Sequence, residues 1–356
     1  MPPTHLLRIL DASLNRAAEG LRVVEDYVRF VLDERFLTSE IKSLRHELAA
    51  AAAAIPPADR HAARNTSHDV GTSLSTSAEQ KRSDLWSVCL ASLKRTEQSF
   101  RSLEEYGKLA DDGFARTIES LRYRLYTLEK AIDVGRSSQD RLEGVRLCVL
   151  VDGQSSAAAF EELIVALVEA NVGMIQLRDK QLDDRDLVGR ARLARKFSRG
   201  SQTLLVINDR ADVAAAIDAD GVHLGQEDLS VHDARAVVGT RMLVGVSTHN
   251  IDQARAAVLE GANYLGAGPT FPSQTKTFDS FAGVDYLREV AAEIRLPTFA
   301  IGGITGENLP EVLATGVMRV AVGSAVTGSP EPASAAGELL SMLMIPAAEA
   351  ASPSGS

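Results

Sequence analysis

LLVINDRADVAAAIDADGVHLGQED, which spans residues 204–228, places two strand ends and several polar side chains within one short stretch. An apolar run stops at Asn208 and Asp209, an alanine-rich helix follows, and a second apolar run stops shortly before Asp228. If the two runs are neighbouring parallel strands, about 5 Å apart, Asp209 and Asp228 can converge on one cation. Carboxylate oxygens are ligands that Mg²⁺ prefers, so a magnesium site is one interpretation of the stretch. Alternatively, each aspartate only caps the helix that follows it.

The alternation of apolar runs and helical segments continues through residues 145–345. Such alternation requires parallel strands joined by helical crossovers. Eight strands are predicted, and roughly 200 residues is a compact size for a (β/α)₈ TIM barrel. A doubly wound open sheet also alternates, but no G-x-G-x-x-G follows the first strand. The predicted strands are 145–151, 174–178, 204–208, 222–224, 243–246, 264–268, 298–301 and 317–322.

Residues 1–135 carry a helical pattern instead. Apolar residues in the first helix recur at spacings of three and four, which predicts a face buried against other helices. They are Leu10, Leu14, Ala17, Leu21, Val24, Val28 and Val31. Three further helices are predicted, so this half is an all-α helical bundle. The apolar period is lost over residues 136–144, which are predicted to be a linker, and the tail at 346–356 is predicted to be disordered.

The helical half has two polar features. One is a stripe beside the apolar face of the first helix, formed by Asn15, Glu19, Arg22, Asp26 and Arg29. Its simplest interpretation is a solvated face held by ion pairs. The other is residues 56–83, which lack an apolar period but are rich in groups that bind ligands, among them Arg64, Asp69, Gly71 and Thr72. Long loops inside compact domains are often functional, and we interpret this one so.

Composition excludes several classes of protein. The chain has 356 residues, 45% of them hydrophobic, and a net charge of −10, which argues against a nucleic-acid surface. No apolar run is long enough to cross a membrane, and the N-terminus lacks signal-peptide features, so a cytoplasmic location is expected. The two cysteines show no metal-ligand spacing and are predicted to be core residues. Small-molecule substrates are the expected partners, and the sequence leaves a homo-oligomer open.

Barrel active sites form where strands end and the loops to the helices begin. The polar residues and glycines at those positions are Asp152, Gln176, Arg178, Lys180, Asn208, Asp209, His223, Asp228, Ser247, His249, Ser273, Thr275, Lys276, Gly302, Gly303, Gly323 and Ser324. Glycines after the seventh and eighth strands are typical of phosphate sites, because they let backbone N–H groups approach an anion.

Several motifs agree in their order with one enzyme family. INDRADVAAAIDADGVHLGQED, GVSTH, GPTFPSQTK and AIGGI lie within residues 145–343 and resemble thiamine-phosphate synthases. That family joins hydroxymethylpyrimidine diphosphate to a thiazole phosphate in a TIM barrel and releases diphosphate. The resemblance implies that Asp209 and Asp228 bind Mg²⁺. A related thiazole tautomerase is the alternative, which Lys276 and the aspartate pair disfavour.

The resemblance also implies substrate contacts. The pyrimidine diphosphate would be held by Gln176, Arg178, Lys180, Asn208 and Lys276, with Ser247 at the diphosphate. The thiazole phosphate and neighbouring groups would be received by Ser273, Thr275, Gly303, Gly323 and Ser324. Because the electron-rich pyrimidine can carry positive charge at its methylene carbon, C–O ionisation comes first and no base is needed. Arg178, Ser247 and Lys276 would then be catalytic, stabilising charge on the departing diphosphate, while His223 and His249 are interpreted as packing or loop-ordering residues.

The N-terminal half has a resemblance of its own. NRAAEGLRVVEDYVRF, RNTSHDVGT and LRSLEEYGKL, within residues 5–132, resemble the small helical hydroxymethylpyrimidine-phosphate kinase domain that occurs fused to thiamine-phosphate synthases. That family's loop usually carries Asp where this chain has Asn65. The resemblance implies that this domain uses ATP and Mg²⁺ to supply the barrel's substrate. Its site would comprise Asn15, Glu19, Arg22, Asp26, Arg64, Asp69, Gly71 and Thr72. A non-catalytic dimerisation or scaffold module is the alternative, although a scaffold has no use for the polar loop.

Overall fold

The protein is described by a computed structural model that covers residues 3–65, 82–272 and 282–344. The chain divides into two compact units, Met1–Asp133 and Val134–Ser356. The tail at 346–356, predicted to be disordered, lies outside the described residues. None of the helices within the described ranges combines the length and the apolar composition that a membrane crossing requires.

The first unit is helical, as the sequence predicts. Its helices are α1 (Thr4–Phe30), α2 (Arg35–Ala52), α3 (Pro57–Ala63), α4 (Leu85–Gly107) and the first part of α5 (Asp112–Arg141). The apolar face of α1 is buried from Leu10 to Val28, whereas Val31 lies beyond the end of the helix and is 46% exposed. Helix α3 was not predicted from the sequence. It begins at a proline, which is favoured at the first helical position because its missing N–H is not needed there.

The predicted linker at 136–144 is wrong. Helix α5 continues to Arg141, and Ser138 and Leu142 within this segment are fully buried. Leu142 and Val145 belong to the apolar core of the barrel. The Ser138 hydroxyl accepts a hydrogen bond of 2.9 Å from the side-chain amide of Asn263. The segment lacks an apolar period because a few buried contacts, rather than a continuous stripe, hold it against the barrel.

The second unit is a closed barrel of eight parallel strands, in which each strand pairs with its sequence neighbours and β8 pairs with β1. The prediction of a TIM barrel is therefore confirmed. The strands are β1 (Leu147–Val151), β2 (Met174–Leu177), β3 (Leu204–Asn208), β4 (Gly221–Leu224), β5 (Leu243–Thr248), β6 (Tyr264–Ala267), β7 (Thr298–Ile301) and β8 (Val320–Val322). The helices are α6 (Ala157–Glu169), α7 (Asp184–Ser198), α8 (Ala211–Ala216), α9 (Val231–Val238), α10 (Ile251–Glu260), α11 (Gly283–Glu293), α12 (Leu309–Leu313), α13 (Ser324–Thr327) and α14 (Pro332–Leu343).

The barrel interior changes from apolar to polar along its axis. Alternate residues of a strand point to the same face, so residues two apart on one strand lie at successive depths inside the barrel. At the N-terminal ends of the strands the interior is filled by Cys148, Met174, Leu243 and Tyr264, closed below by Leu142 and Val145. Towards the C-terminal ends the same faces carry Gln176 on β2, Asn208 on β3 and Ser247 on β5, and Arg178 follows the end of β2. The polar end is therefore the part of the barrel that can bind a ligand.

Replacing Leu142 tests whether the segment before β1 is part of the barrel core. Leu142→Ala removes a fully buried side chain, and such changes cost roughly 3 to 5 kcal/mol because the cavity closes only in part. We expect that loss in the free energy of unfolding of the barrel, measured by hydrogen exchange of the strand amides. Val237→Ala, at a position 47% exposed on α9, is the control and should change little. Equal, small effects of both substitutions would show that residue 142 does not support the barrel.

Candidate active site

Two carboxylates meet at the polar end of the barrel. Asp209 follows β3 with a positive φ of 61°, and its backbone N–H donates to the carbonyl of His223 at 2.8 Å. Asp228 follows β4, and its carboxylate accepts from the backbone N–H of Gly225 at 2.7 Å. Burial and the adjacent Asp228 carboxylate together raise the pKa of Asp209. The two side chains are therefore within interaction distance of each other.

The alternative role of these aspartates as helix caps is wrong. The residue that caps α8 is Arg210, without a side-chain hydrogen bond to the helix. The residue that caps α9 is Ser230, whose hydroxyl accepts from the backbone of Asp233. Neither Asp209 nor Asp228 is needed to start a helix, so their proximity has another explanation.

The charge and chemistry of the pair fit a divalent cation. The one ammonium group that contacts the pair within the described part of the chain is that of Lys180, 3.4 Å from Asp209 and 67% exposed. Two carboxylates beside one ammonium leave a net negative charge, and carboxylate oxygens are hard ligands. No group of three or more His, Cys, Asp or Glu side chains suited to a metal occurs among the described residues. A cation held by the pair would therefore keep water or ligand oxygens in its remaining positions, as Mg²⁺ commonly does.

Side chains from β2 and β3 form the neighbouring wall. Gln176 is 4% exposed and lies on the same face of β2 as the core residue Met174. Arg178 follows β2, and its backbone N–H donates to the carbonyl of Val151 at 2.8 Å. Asn208 ends β3 and pairs in register with His223. The structure thus brings the predicted residues Gln176, Arg178, Lys180 and Asn208 to the same end of the barrel as the carboxylate pair.

A hydrogen-bonded series of three side chains connects the core to this end. The Tyr264 hydroxyl lies 3.2 Å from Nδ1 of His223, and Nε2 of His223 lies 2.9 Å from the hydroxyl of Ser247. Burial, aided by the positive charge of Arg178, lowers the pKa of His223 to about 4. The ring is therefore neutral at physiological pH and has one donor and one acceptor nitrogen for its two hydroxyl partners. The carbonyl of Ser247 also accepts from the side chain of Gln226 at 2.6 Å.

Two glycines make room for this series. A Cβ at Gly245 would overlap the ring of Tyr264, which pairs with it across the β5–β6 ladder. A Cβ at Gly266 would lie 3.1 Å from Cε1 of His223. Tyr264 was not identified from the sequence. Its ring contacts residues of other strands, and these contacts can be assigned only when the strand register is known. The available signal was the alternation of glycine with polar or aromatic residues in β5 and β6.

The two predicted phosphate glycines after β7 adopt backbone conformations that favour glycine. Gly302 and Gly303 have φ values of 102° and 63°, which strongly favour glycine. The carbonyl of Gly303 accepts from the side-chain amide of Asn308 at 2.9 Å, which fixes the turn after β7. Gly323 precedes Ser324, the exposed first residue of α13.

His249 orders the neighbouring loop, since its Nδ1 contacts the carbonyl of Gly268. The predicted residues Ser273, Thr275 and Lys276 lie outside the described residues.

In the helical unit, the structure brings together only part of the predicted site. Arg64 and Asn15 both donate to the carboxylate of Asp11, a buried residue of α1 that the sequence did not single out. Arg22 instead lies 3.8 Å from Glu25. Glu19 and Asp26 are exposed on α1. The rise of 1.5 Å per residue places Asn15 and Asp26 about 17 Å apart, too far for one small pocket. Asp69, Gly71 and Thr72 lie outside the described residues.

Comparisons with known proteins agree with this division. Residues 147–326 match the family described as thiamine monophosphate synthase, and residues 8–131 match the ThiD2 family. A thiamine-phosphate synthase of Rhodopirellula baltica is 45% identical over 330 residues, covering 90% of this chain and 88% of that protein. One from a Synechocystis species is 40% identical, covering 96% and 97%. The structure of a thiamine phosphate pyrophosphorylase from Pyrococcus furiosus, 32% identical, covers 58% of this chain and 98% of its own, with a TM-score of 0.50.

The space around Tyr264 can be tested with two glycine substitutions. Gly245→Ala places a methyl group inside the Tyr264 ring, and overpacking of this kind typically costs about 1 to 3 kcal/mol. We expect that loss in the free energy of unfolding, together with shifted imidazole NMR signals of His223. Gly189→Ala on α7 is the control, since its Cβ meets nothing within 4 Å and alanine favours a helix. A Gly245→Ala protein as stable as the parent, with unchanged His223 signals, would contradict the described packing.

Proposed function

Because the chain belongs to the thiamine-phosphate synthase family and carries a ThiD2-family region ahead of its barrel, we propose a division of labour between its two units. The barrel joins hydroxymethylpyrimidine diphosphate to a thiazole phosphate, and the products are thiamine phosphate and diphosphate. The helical unit phosphorylates hydroxymethylpyrimidine monophosphate with ATP and so prepares the first of these substrates. Both reactions use phosphorylated small molecules, which suits the cytoplasmic location expected from the sequence.

The observation that carries the synthase assignment is the Asp209–Asp228 pair beside Lys180 at the polar end of the barrel. A diphosphate leaving group brings several negative charges, and two bare carboxylates would repel it. The pair is therefore suited to hold Mg²⁺. When bound, Mg²⁺ would supply positive charge next to the leaving group.

The reaction needs charge stabilisation rather than a base. The bond between the pyrimidine methylene carbon and the diphosphate oxygen breaks, and the electron pair leaves with the diphosphate. The ring spreads the positive charge left on the carbon, and the neutral thiazole nitrogen then forms the new C–N bond. Arg178 and Lys180 are proposed to offset the charge that grows on the diphosphate, which is the kind of preorganised stabilisation that lowers such barriers most. Lys276 remains a predicted third cation.

The polar side chains around the pair are proposed to bind the substrates. Gln176 and Asn208 hold the pyrimidine, and Ser247, oriented by the neutral His223, donates to the diphosphate. The turns at Gly303 and at Gly323–Ser324 present backbone N–H groups to the thiazole phosphate. Ser273 and Thr275 are proposed to contribute hydroxyl groups at the same subsite. The buried, neutral His223 suits a positioning role, because an ionised ring would cost free energy at that depth.

A thiazole tautomerase on the same type of barrel is the alternative for the second unit. Such an enzyme has no diphosphate leaving group and would not need a cation site formed by two carboxylates. The Asp209–Asp228 pair and the cations beside it therefore favour the synthase.

The kinase proposal for the first unit rests on the ThiD2 match and on the contacts of Arg64. No G-x-x-x-x-G-K-[ST] loop occurs in the sequence, so phosphate binding would depend on arginines rather than on a P-loop. Arg64 follows α3 within the polar stretch 56–83 and is fixed to α1 through Asp11. The predicted Mg²⁺ and nucleotide contacts of Asp69, Gly71 and Thr72 remain proposals. A dimerisation or scaffold module is the alternative.

Arg178→Ala tests the stabilisation of the leaving group. Loss of one donor to developing charge typically lowers kcat by about 10² to 10³, and we expect a loss of that size with a smaller change in KM. The measurement is the steady-state rate of thiamine phosphate formation by the full chain. Arg192→Ala, at an exposed position of α7, is the control. A kcat within about twofold of the parent for Arg178→Ala would remove Arg178 from the mechanism.

Removal of Mg²⁺ tests the carboxylate pair. Thiamine phosphate formation by the full chain should stop in excess chelator and return when Mg²⁺ is restored. Asp228→Asn should raise the Mg²⁺ concentration for half-maximal rate by about tenfold or more, since even supporting groups of a metal site commonly contribute that much. Glu227→Gln, at the neighbouring exposed position, should leave it unchanged. Full turnover in chelator would contradict the magnesium assignment.

The kinase activity can be measured in the full chain without the second substrate. Incubation with ATP, Mg²⁺ and hydroxymethylpyrimidine monophosphate, in the absence of thiazole phosphate, should yield ADP and the accumulated diphosphate. Arg64→Ala should abolish this product while synthase activity from added diphosphate persists. No product from a chain that is active as a synthase would favour the scaffold alternative.

A further inference from the structure

The carboxylate of Asp11 is the centre of a small charged cluster in the helical unit. Asp11 lies on α1, is 4% exposed, and faces two arginines from the region of α3. Arg64 donates to both of its oxygens through Nε and one terminal nitrogen, the latter at 3.0 Å. Asn15 donates to the same carboxylate at 3.4 Å, and a terminal nitrogen of Arg60 lies 3.9 Å away. One negative charge thus faces two positive charges.

Excess positive charge alone does not distinguish this cluster. Glu25 and Glu104 are also buried acids of this unit with more than one cationic neighbour. What differs is Arg60. Its side chain is only 14% exposed, its Nε is buried without a hydrogen-bond partner among the described residues, and its distance to Asp11 exceeds that of a hydrogen bond. A buried guanidinium donor without a partner is costly, so this arginine is suited to a ligand that supplies acceptor oxygens.

We propose that Arg60 and Arg64 together bind a phosphate group, and that Asp11 is the positioning residue that orients Arg64. The substrate class follows from the proposed kinase function, on which this inference rests: the ligand is a phosphate ester, carried by either the pyrimidine monophosphate or ATP. Arg60 and Asp11 are additions to the residues that the sequence indicated.

The geometry of the cluster suits the tetrahedral, doubly charged phosphate group of an ester. A guanidinium group presents its donors as a fork that matches two phosphate oxygens, which a lysine ammonium cannot do. Asp11 occupies the side of Arg64 that carries Nε, so the remaining terminal nitrogen of this 45%-exposed side chain is available to a ligand. The buried carboxylate also reduces the repulsion between the two arginines and lets both approach the same anion.

Equilibrium binding to the full chain tests the proposal separately from catalysis. Calorimetric titrations with the pyrimidine monophosphate and with an ATP analogue that cannot transfer phosphate identify which phosphate the pair binds. We expect Arg60→Ala to weaken one of the two ligands by tenfold or more, and Arg60→Lys to restore only part of the loss. Arg16→Ala, at an exposed position of the same helix as Asp11, should bind both ligands normally. Synthase activity and the fluorescence of Trp86, the chain's single tryptophan, report that each variant is folded.

The positioning role of Asp11 is tested by a measurement that a purely structural residue would not affect. Asp11→Asn should weaken the same ligand as Arg60→Ala, and should have no further effect when Arg64 is already alanine, because it acts through Arg64. Equal effects of Asp11→Asn with and without Arg64 would assign it a structural role only.

The outcomes separate this inference from the kinase proposal. If the parent chain binds one phosphate ester, loses it in Arg60→Ala, and forms no diphosphate, the phosphate site stands and the kinase function fails. If the parent forms diphosphate and folded Arg60→Ala keeps both affinities, the kinase stands and the phosphate site is overturned. Failure of the parent to bind either ligand would also overturn the phosphate site.

Discussion

Closure of eight parallel strands into a barrel is the constraint on which the active site depends. All strands run in the same direction and alternate residues point inward, so position along a strand becomes depth inside the barrel. Apolar side chains at the strand beginnings form the core, and polar side chains at the strand ends form the site. Asp209 and Asp228 meet because β3 and β4 are neighbours that end at the same level.

Space inside the barrel is the second limit on the site. Large rings at Tyr264 and His223 are accommodated because the adjacent strands carry glycine opposite them. The rings in turn connect the apolar core to Ser247 by hydrogen bonds, so a polar group at the site is fixed by residues well below it. A neutral histidine is suited to this depth, because it links two hydroxyl groups without placing a charge in the core.

The sequence predicted those features that follow from chain order, and missed those that need the register or the tertiary contacts. The eight strands and the convergence of Asp209 with Asp228 follow from alternation and strand direction. Tyr264 could not be assigned, because its partners come from other strands. Asp11 was not identified from the sequence, because it directly follows Leu10, the first residue of the predicted apolar face. A polar residue in that position marks where a buried face ends as readily as it marks a site. The predicted linker was wrong because Ser138 and Leu142 are buried by isolated contacts that leave no periodic signal.

The packing of residues 134–145 against the barrel has a consequence for how the two units can be recombined. A genetic exchange that replaced the helical unit by cutting near residue 145, where the alternating pattern of the barrel begins, would discard the segment that closes the barrel, including the buried Ser138 and Leu142. Exchange before Val134 would keep that segment with the barrel. Partner domains gained or lost by this lineage of barrels are therefore expected to join upstream of the closing segment. The position of the junction is then set by the packing of that segment against the barrel, and not by the stretch that the sequence predicts to be a linker.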